Sequence, residues 1–118
     1  MMRDFGKYVR SRRESMNVER RSYSLRQVAQ RVGFEPSYLS KVERSETAPP
    51  SEEKIIRLAK VLEEDPDVLL AMAGKVSEEL QAVIRKRPRL FAELIRQLKD
   101  MPDHAMVRIV REVRDGCW

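Results

Sequence analysis

The sequence has few of the residues that build β-rich or disulfide-bonded proteins. Its 118 residues include only 4 glycines and 6% aromatic residues, which argues against a sandwich or barrel built on many tight turns. The single cysteine, Cys117, excludes an internal disulfide framework and a zinc site with several cysteine ligands. This cysteine usage fits a reducing cytoplasm.

Long apolar runs and catalytic clusters are also missing from the sequence. No apolar run approaches the ~20 residues that cross a bilayer, and the first five residues lack the apolar stretch of a signal peptide. The only histidine, His104, lies away from Cys117 in the sequence, and no Gly-rich phosphate loop or cluster of metal ligands is present. We therefore expect a soluble, cytoplasmic protein that is not an enzyme and binds no cofactor or metal.

The charge is unevenly distributed along the chain, whose net charge is +5. Residues 1–45 hold eleven Lys/Arg and five Asp/Glu, a local charge of +6. Residues 46–73 hold three and seven, a charge of −4, and residues 74–118 hold ten and seven, a charge of +3. A basic N-terminal third is typical of nucleic-acid binding, but charge alone equally fits a solvated, Arg-rich surface.

Apolar residues recur every three or four positions, and helix-capping residues separate the groups, so the sequence predicts an all-α fold. The first helix is predicted to have Asp4 as its N-cap and to be followed by a loop from Asn17 to Tyr23. The remaining predicted helices begin near the following residues, which are N-caps or first-turn prolines: Ser24, Pro36, Ser51, Asp65, Ser77, Pro88 and Pro102.

The segment SLRQVAQRVGFEPSYLSKVER, residues 24–44, carries the main functional signal. The small Ala29 lets two helices approach closely, and Gly33 permits a sharp turn between them. Leu39 and Val42 are spaced to face inward on the second of these helices. The residues left facing outward are hydroxyls and cations, which suit base edges and phosphates in a DNA major groove: Ser37, Tyr38, Ser40, Lys41 and Arg44.

Together with the later segments PPSEEKIIRLAKVL and DPDVLLAMAG, this run resembles the Xre/Cro family of lambda-repressor-like DNA-binding proteins. The resemblance covers about residues 4–74. It implies a compact bundle of five helices whose third helix reads the major groove. It further implies dimers that bind palindromic operators in double-stranded DNA and usually repress transcription.

The resemblance also implies roles for individual residues. Pro36, Ser37, Tyr38 and Lys41 match positions that face base edges, and Ser40 lies on the same outward face. Ser24, Arg26 and Arg44 match or adjoin positions near phosphates. Arg13 and Glu43 match a pair that forms an internal salt bridge between the first helix and the end of the third.

Two features depart from the family pattern. Leu25 stands where the family often has a glutamine that supports phosphate binding. The link between Arg13 and Ser24 is longer than usual and brings in Glu19, Arg20 and Arg21. This extra stretch is either a basic finger that places Arg20 and Arg21 on the DNA backbone, or a longer first helix with a solvated tip.

We divide the chain into a DNA-binding domain, residues 1–74, and a helical C-terminal region, residues 75–118. The C-terminal region has more apolar residues than isolated helices can leave in water. They either extend the bundle core or form a self-associating surface, and we expect a dimer interface. Its predicted members are Leu90, Phe91, Leu94, Ile95, Leu98, Met106, Val110 and Val113.

Two functions fit these features. The first is a homodimeric, sequence-specific transcriptional repressor, in which two-fold symmetry places recognition helices ~34–36 Å apart. The second is an antitoxin or restriction-system controller whose C-terminal helices bind a partner protein. The basic cluster at residues 85–89 is either a complement to a helix dipole or a second DNA contact.

Overall fold

A computed structural model describes residues 2–116, with side chains from Phe5 onward. These residues form eight helices and no strand, which confirms the all-α prediction. The helices are α1 (Met2–Arg20), α2 (Leu25–Val32), α3 (Pro36–Glu43), α4 (Glu52–Val61), α5 (Pro66–Met72), α6 (Glu78–Lys86), α7 (Pro88–Leu98) and α8 (Asp103–Arg114).

Local chemistry fixes the turn between α2 and α3. Ser24 and Gln27 form a capping box at the start of α2, in which each side chain accepts a hydrogen bond from the other residue's backbone N–H. Gly33 ends α2 in the left-handed region at φ 91°, and its N–H donates to the Ala29 carbonyl. Pro36 opens α3, where its missing N–H costs no helical hydrogen bond.

The chain divides into two compact units after Ser77. In the first unit, α1 contacts α3 and α5, α2 contacts α3 and α4, and α4 contacts α5. One apolar core lies between these five helices, and its largest fully buried side chains come from all of them. They are Phe5, Val9, Val28, Val32, Leu39, Ile55, Leu58, Leu62, Leu69 and Leu70.

The second unit contains α6, α7 and α8, and α6 packs against α7. None of the residues in these three helices is buried. This unit therefore encloses none of its described apolar side chains completely, in contrast to the five-helix unit.

The predicted loop from Asn17 to Tyr23 is wrong in its first half, because α1 continues to Arg20. The buried Met16 anchors the last turns of α1 to the core. Asn17 then ends the helix: its backbone carbonyl accepts from the Arg21 N–H at 2.8 Å, and its side-chain oxygen accepts from the Tyr23 N–H at 2.9 Å. Arg21 takes a left-handed φ of 59° at this point. Asp4 lies inside α1 and is not its N-cap.

α1 approaches the C-terminal end of α3 closely at Gly6. This residue is buried, and a Cβ atom there would overlap the carbonyl oxygen of Val42 and come within 2.9 Å of that of Glu43. Only a residue without a side chain fits between the two helix backbones.

A buried ion pair joins the same two helices. The Arg13 guanidinium donates to both carboxylate oxygens of Glu43, at 2.7 and 3.0 Å, and to the Tyr23 carbonyl oxygen at 3.2 Å. Both side chains are at least nine-tenths buried. The bidentate geometry satisfies the two charges together, so neither can be removed alone without leaving the other unpaired.

We expect the substitution Gly6→Ala to lower the free energy of unfolding by about 1–3 kcal/mol, because the new methyl group overpacks the α1–α3 contact. Urea denaturation followed by circular dichroism measures the change. Lys7→Ala is the matched control, since Lys7 is the next residue of α1 and is exposed. Alanine favours a helix over glycine, so an unchanged or increased stability of Gly6→Ala would show that the close approach is wrong.

We expect Glu43→Ala to cost about 3–5 kcal/mol in unfolding free energy, because it leaves the Arg13 guanidinium buried without its counter-ion. The double variant Arg13→Met, Glu43→Leu retains similar volume without an orphan charge and should lose less stability than the single variant. Denaturation midpoints of the three proteins give the comparison. A double variant that is less stable than Glu43→Ala would contradict this account of the pair.

Candidate nucleic-acid interface

The third helix presents one polar face to solvent. Ser37, Lys41 and Arg44 are exposed and are spaced by four and three residues, so they lie on one side of α3. Leu39 and Val42 are buried on the opposite side. The inward side of the helix is thus fixed to the core while a hydroxyl and two cations face outward, as a helix that reads DNA requires.

Tyr38 and Ser40 flank this face on its two sides, and both are half-buried. The Tyr38 ring packs edge-on against Phe34, with the ring centroids 5.0 Å apart and the planes at 78°. It also packs against the hydrophobic core. The ring therefore has a structural role in holding α3, in addition to the predicted position beside the outward face. Pro36 is half-buried at the start of the helix.

The beginning of α2 holds two of the predicted phosphate contacts. The Ser24 hydroxyl accepts from the Gln27 N–H at 3.2 Å, and this capping role leaves its own O–H available to donate. Arg26 is exposed in the first turn of the same helix. Arg44, at the other end of the interface, makes an ion pair of 3.1 Å with Glu46 in which both side chains are about half exposed.

Arg20 and Arg21 lie in different surroundings. The Arg20 guanidinium donates to the Glu63 carboxylate at 2.5 and 3.1 Å and to the Tyr23 hydroxyl at 3.4 Å. The hydrogen bonds from Arg20 lower the pKa of Glu63, so the carboxylate keeps its charge to a lower pH than an ordinary glutamate. Arg20 thereby ties the end of α1 to the loop after α4, whereas Arg21 is exposed in the link to α2.

A polar cavity of about 280 Å³ lies beside α3 and was not predicted. α1 contributes Arg10 and Arg13, α2 contributes Leu25, and Ser40 and Glu43 of α3 with the adjoining Arg44 complete the lining. Arg10 is exposed and pairs with Glu14 at 3.2 Å. Its only sequence signal is its spacing of three residues before Arg13, which places both cations on one side of α1.

The C-terminal unit exposes most of the predicted interface residues. The exposed fractions are 70% for Leu90, 48% for Leu94, 49% for Ile95, 58% for Val110 and 59% for Val113. The remaining three are half-buried: Phe91, Leu98 and Met106. An apolar groove of about 190 Å³ brings together Val83 of α6, Arg87, and the α7 residues Leu90, Phe91 and Leu94. Arg85 and Lys86 lie in the last turn of α6, where cations complement the helix dipole.

The described residues were also expected to lack a metal centre and a membrane-spanning segment. Within residues 2–116 no group of three or more His, Cys, Asp or Glu side chains is placed to hold a metal ion. His104 is exposed near the start of α8, and Cys117 lies outside the described residues. None of the described helices is both long and apolar enough to cross a membrane.

Comparisons with known proteins point to the same part of the chain. Two curated proteins of Mycobacterium tuberculosis, from strains CDC 1551 / Oshkosh and ATCC 25618 / H37Rv, are each 39% identical over 69 residues. Both are named uncharacterized HTH-type transcriptional regulators. The match covers 58% of this chain and 45% of each relative, so the chain spans about half the length of these proteins. No solved structure shows a significant match.

A family model described as a helix-turn-helix domain matches residues 4–72, the stretch that contains α2, the turn at Gly33 and α3. This match confirms the predicted resemblance and, over these residues, the expectation of a DNA-binding module and not an enzyme. With more than half of its residues inside the match, the chain belongs to the helix-turn-helix domain family, of the Xre/Cro type.

Proposed function

We propose that this protein is a sequence-specific DNA-binding transcriptional regulator that acts as a homodimeric repressor of a palindromic operator. The observation that carries the proposal is the exposed polar face of α3, which is held on its other side by Leu39, Val42 and the buried Glu43. The relatives named as transcriptional regulators support it. Its place of action is then the compartment that holds the DNA, the cytoplasm.

The proposed interface separates affinity from specificity. Ser37 and Lys41, on the outward face of α3, lie in the position from which a helix contacts base edges, with Pro36 and Tyr38 beside them. Ser24, Arg26 and Arg44 lie at the helix ends and supply contacts to phosphates, which are independent of sequence. We assign Arg20 to the scaffold, because its guanidinium donates to both Glu63 carboxylate oxygens and to the Tyr23 hydroxyl. We retain the exposed Arg21 as a phosphate contact.

We expect Lys41→Ala to weaken binding to the preferred duplex by about 1–3 kcal/mol and to relax selectivity at one base position. The matched control is Lys60→Ala, which removes an equal charge from an exposed position of α4. Fluorescence anisotropy with duplexes varied at each position measures both effects. An equal loss of affinity on every sequence would contradict a base-reading role for Lys41.

A second copy of the chain is the proposed occupant of the apolar face of the C-terminal unit. α6, α7 and α8 contain no buried residue, and a helical unit of about 40 residues usually needs oligomerisation to be stable. Leu90, Leu94 and Ile95 form a continuous apolar stripe on α7. A two-fold dimer through this stripe would bring two DNA-binding domains together, as binding to a palindromic operator requires.

We expect Leu94→Glu to convert the dimer to a monomer, because it places a charge within the apolar stripe of α7. Ala92→Glu is the matched control: it adds the same charge to the same helix at an exposed position outside the stripe. Light scattering coupled to size-exclusion chromatography gives the mass of each. A Leu94→Glu protein with the same mass as Ala92→Glu would contradict the interface.

The alternative function places a different protein on the same surface. α6, α7 and α8 lie beyond the residues that match the helix-turn-helix family, so this part can serve a separate purpose. In an antitoxin or a restriction-system controller, these helices would bind a partner protein, and DNA binding would regulate the protein's own synthesis. A stable complex with a protein encoded next to this one would favour the alternative, and a homodimer alone favours the repressor.

Selection of bound duplexes from a random DNA pool tests the proposed function as a whole. We expect a palindromic sequence whose half-sites lie about 10 base pairs apart, one turn of DNA. Recovery of unrelated sequences, with no motif shared among them, would contradict sequence-specific binding. Recovery of one half-site without its inverted repeat would still support DNA recognition by α3, but it would contradict the two-fold arrangement.

A further inference from the structure

We propose that the polar cavity beside α3 binds one phosphate of the DNA backbone and that Arg10 is its principal cation. This inference rests on the proposed function, because the phosphate belongs to the duplex that α3 reads. The cavity lies between α1, α2 and α3, so a bound phosphate would touch all three helices and fix the depth at which α3 enters the groove.

The charges of the lining favour an anion. Arg13 and Glu43 are paired with each other through two hydrogen bonds, and their charges cancel. Arg10 and Arg44 are left as the excess positive charges of the cavity lining. A phosphodiester carries the single negative charge and the acceptor oxygens that guanidinium groups bind in bidentate geometry.

Both cations are free to change partner at little cost. Arg10 pairs with Glu14 one turn along α1, and Arg44 pairs with Glu46, with every one of these side chains at least half exposed. Exposed ion pairs of this kind contribute little to stability. A phosphate oxygen can therefore replace the carboxylate at each guanidinium without disturbing the fold.

The uncharged members of the lining complete the site. Ser40 is half-buried on the side of α3 that faces the cavity, where its hydroxyl can donate to a phosphate oxygen. Leu25 provides an apolar wall and no donor. Because Leu25 supplies no hydrogen bond, the phosphate site relies on the guanidinium of Arg10 in α1. Ser40 then contacts the DNA backbone and not a base.

The test compares Arg10→Gln with Arg57→Gln in binding a short mixed-sequence duplex at several NaCl concentrations. Arg57 is a matched control because it also pairs with a glutamate four residues away on an exposed helix, and it does not line the cavity. We expect Arg10→Gln to weaken binding about tenfold at low salt. The logarithm of the binding constant decreases linearly with log [NaCl], and the steepness of this line should be reduced by about 0.9 for each bound α3.

Arg10→Lys keeps the charge without the bidentate geometry, so it should preserve the slope while losing part of the affinity. Ser40→Ala should weaken binding by a similar factor on every sequence and leave the slope unchanged.

Equal slopes for Arg10→Gln and Arg57→Gln, with wild-type melting temperatures for both, would overturn the proposal. If Ser40→Ala instead loses affinity only on duplexes that differ at one base position, Ser40 contacts a base and its assignment to the phosphate is wrong. If the wild-type protein retards no duplex at low salt, the proposed function itself fails and this inference fails with it.

Discussion

The contact between α1 and α3 is the constraint on which the candidate interface depends. Gly6 lets the two backbones touch, and the Arg13–Glu43 pair joins the helices at a buried position with both charges satisfied. Since Glu43 is the last residue of α3, this pair fixes the rotation of α3 about its own axis. The outward direction of Ser37 and Lys41 then follows from helix geometry, because one face of a rigid helix cannot turn while the other is held.

The two units of the chain use their apolar residues in different ways. The five-helix unit buries most of its large apolar side chains in one core, with Val28, Leu39 and Leu58 completely enclosed. The C-terminal unit leaves Leu90 and Val110 more than half exposed and buries none of its described residues. This difference is the physical basis for proposing separate roles, DNA binding for the first unit and association with a second copy for the other.

The parts of the fold that sequence analysis predicted are those that local chemistry determines. Ser24, Gly33 and Pro36 act through their own backbone and nearest neighbours, so the turn between α2 and α3 was predictable from residue type. The end of α1 was not predictable in this way, because Asn17 disfavours a helix interior by propensity. The extra turn is anchored by the buried Met16 and by the bidentate hydrogen bonds from Arg20 to Glu63, a residue distant in the sequence. The cavity that Arg10 lines could not be predicted from the sequence either, because it forms only where α1, α2 and α3 pack together in the folded protein.

The central claim is that the outward face of α3 enters duplex DNA. The most direct measurement is the change in amide chemical shifts of the isotope-labelled full chain as an operator duplex selected from the random pool is added. We expect the largest changes on the amides of residues 37–44, which follow Pro36 in α3, and at the start of α2 around Ser24. Changes confined to α6, α7 and α8, with α3 unaffected at saturation, would contradict it.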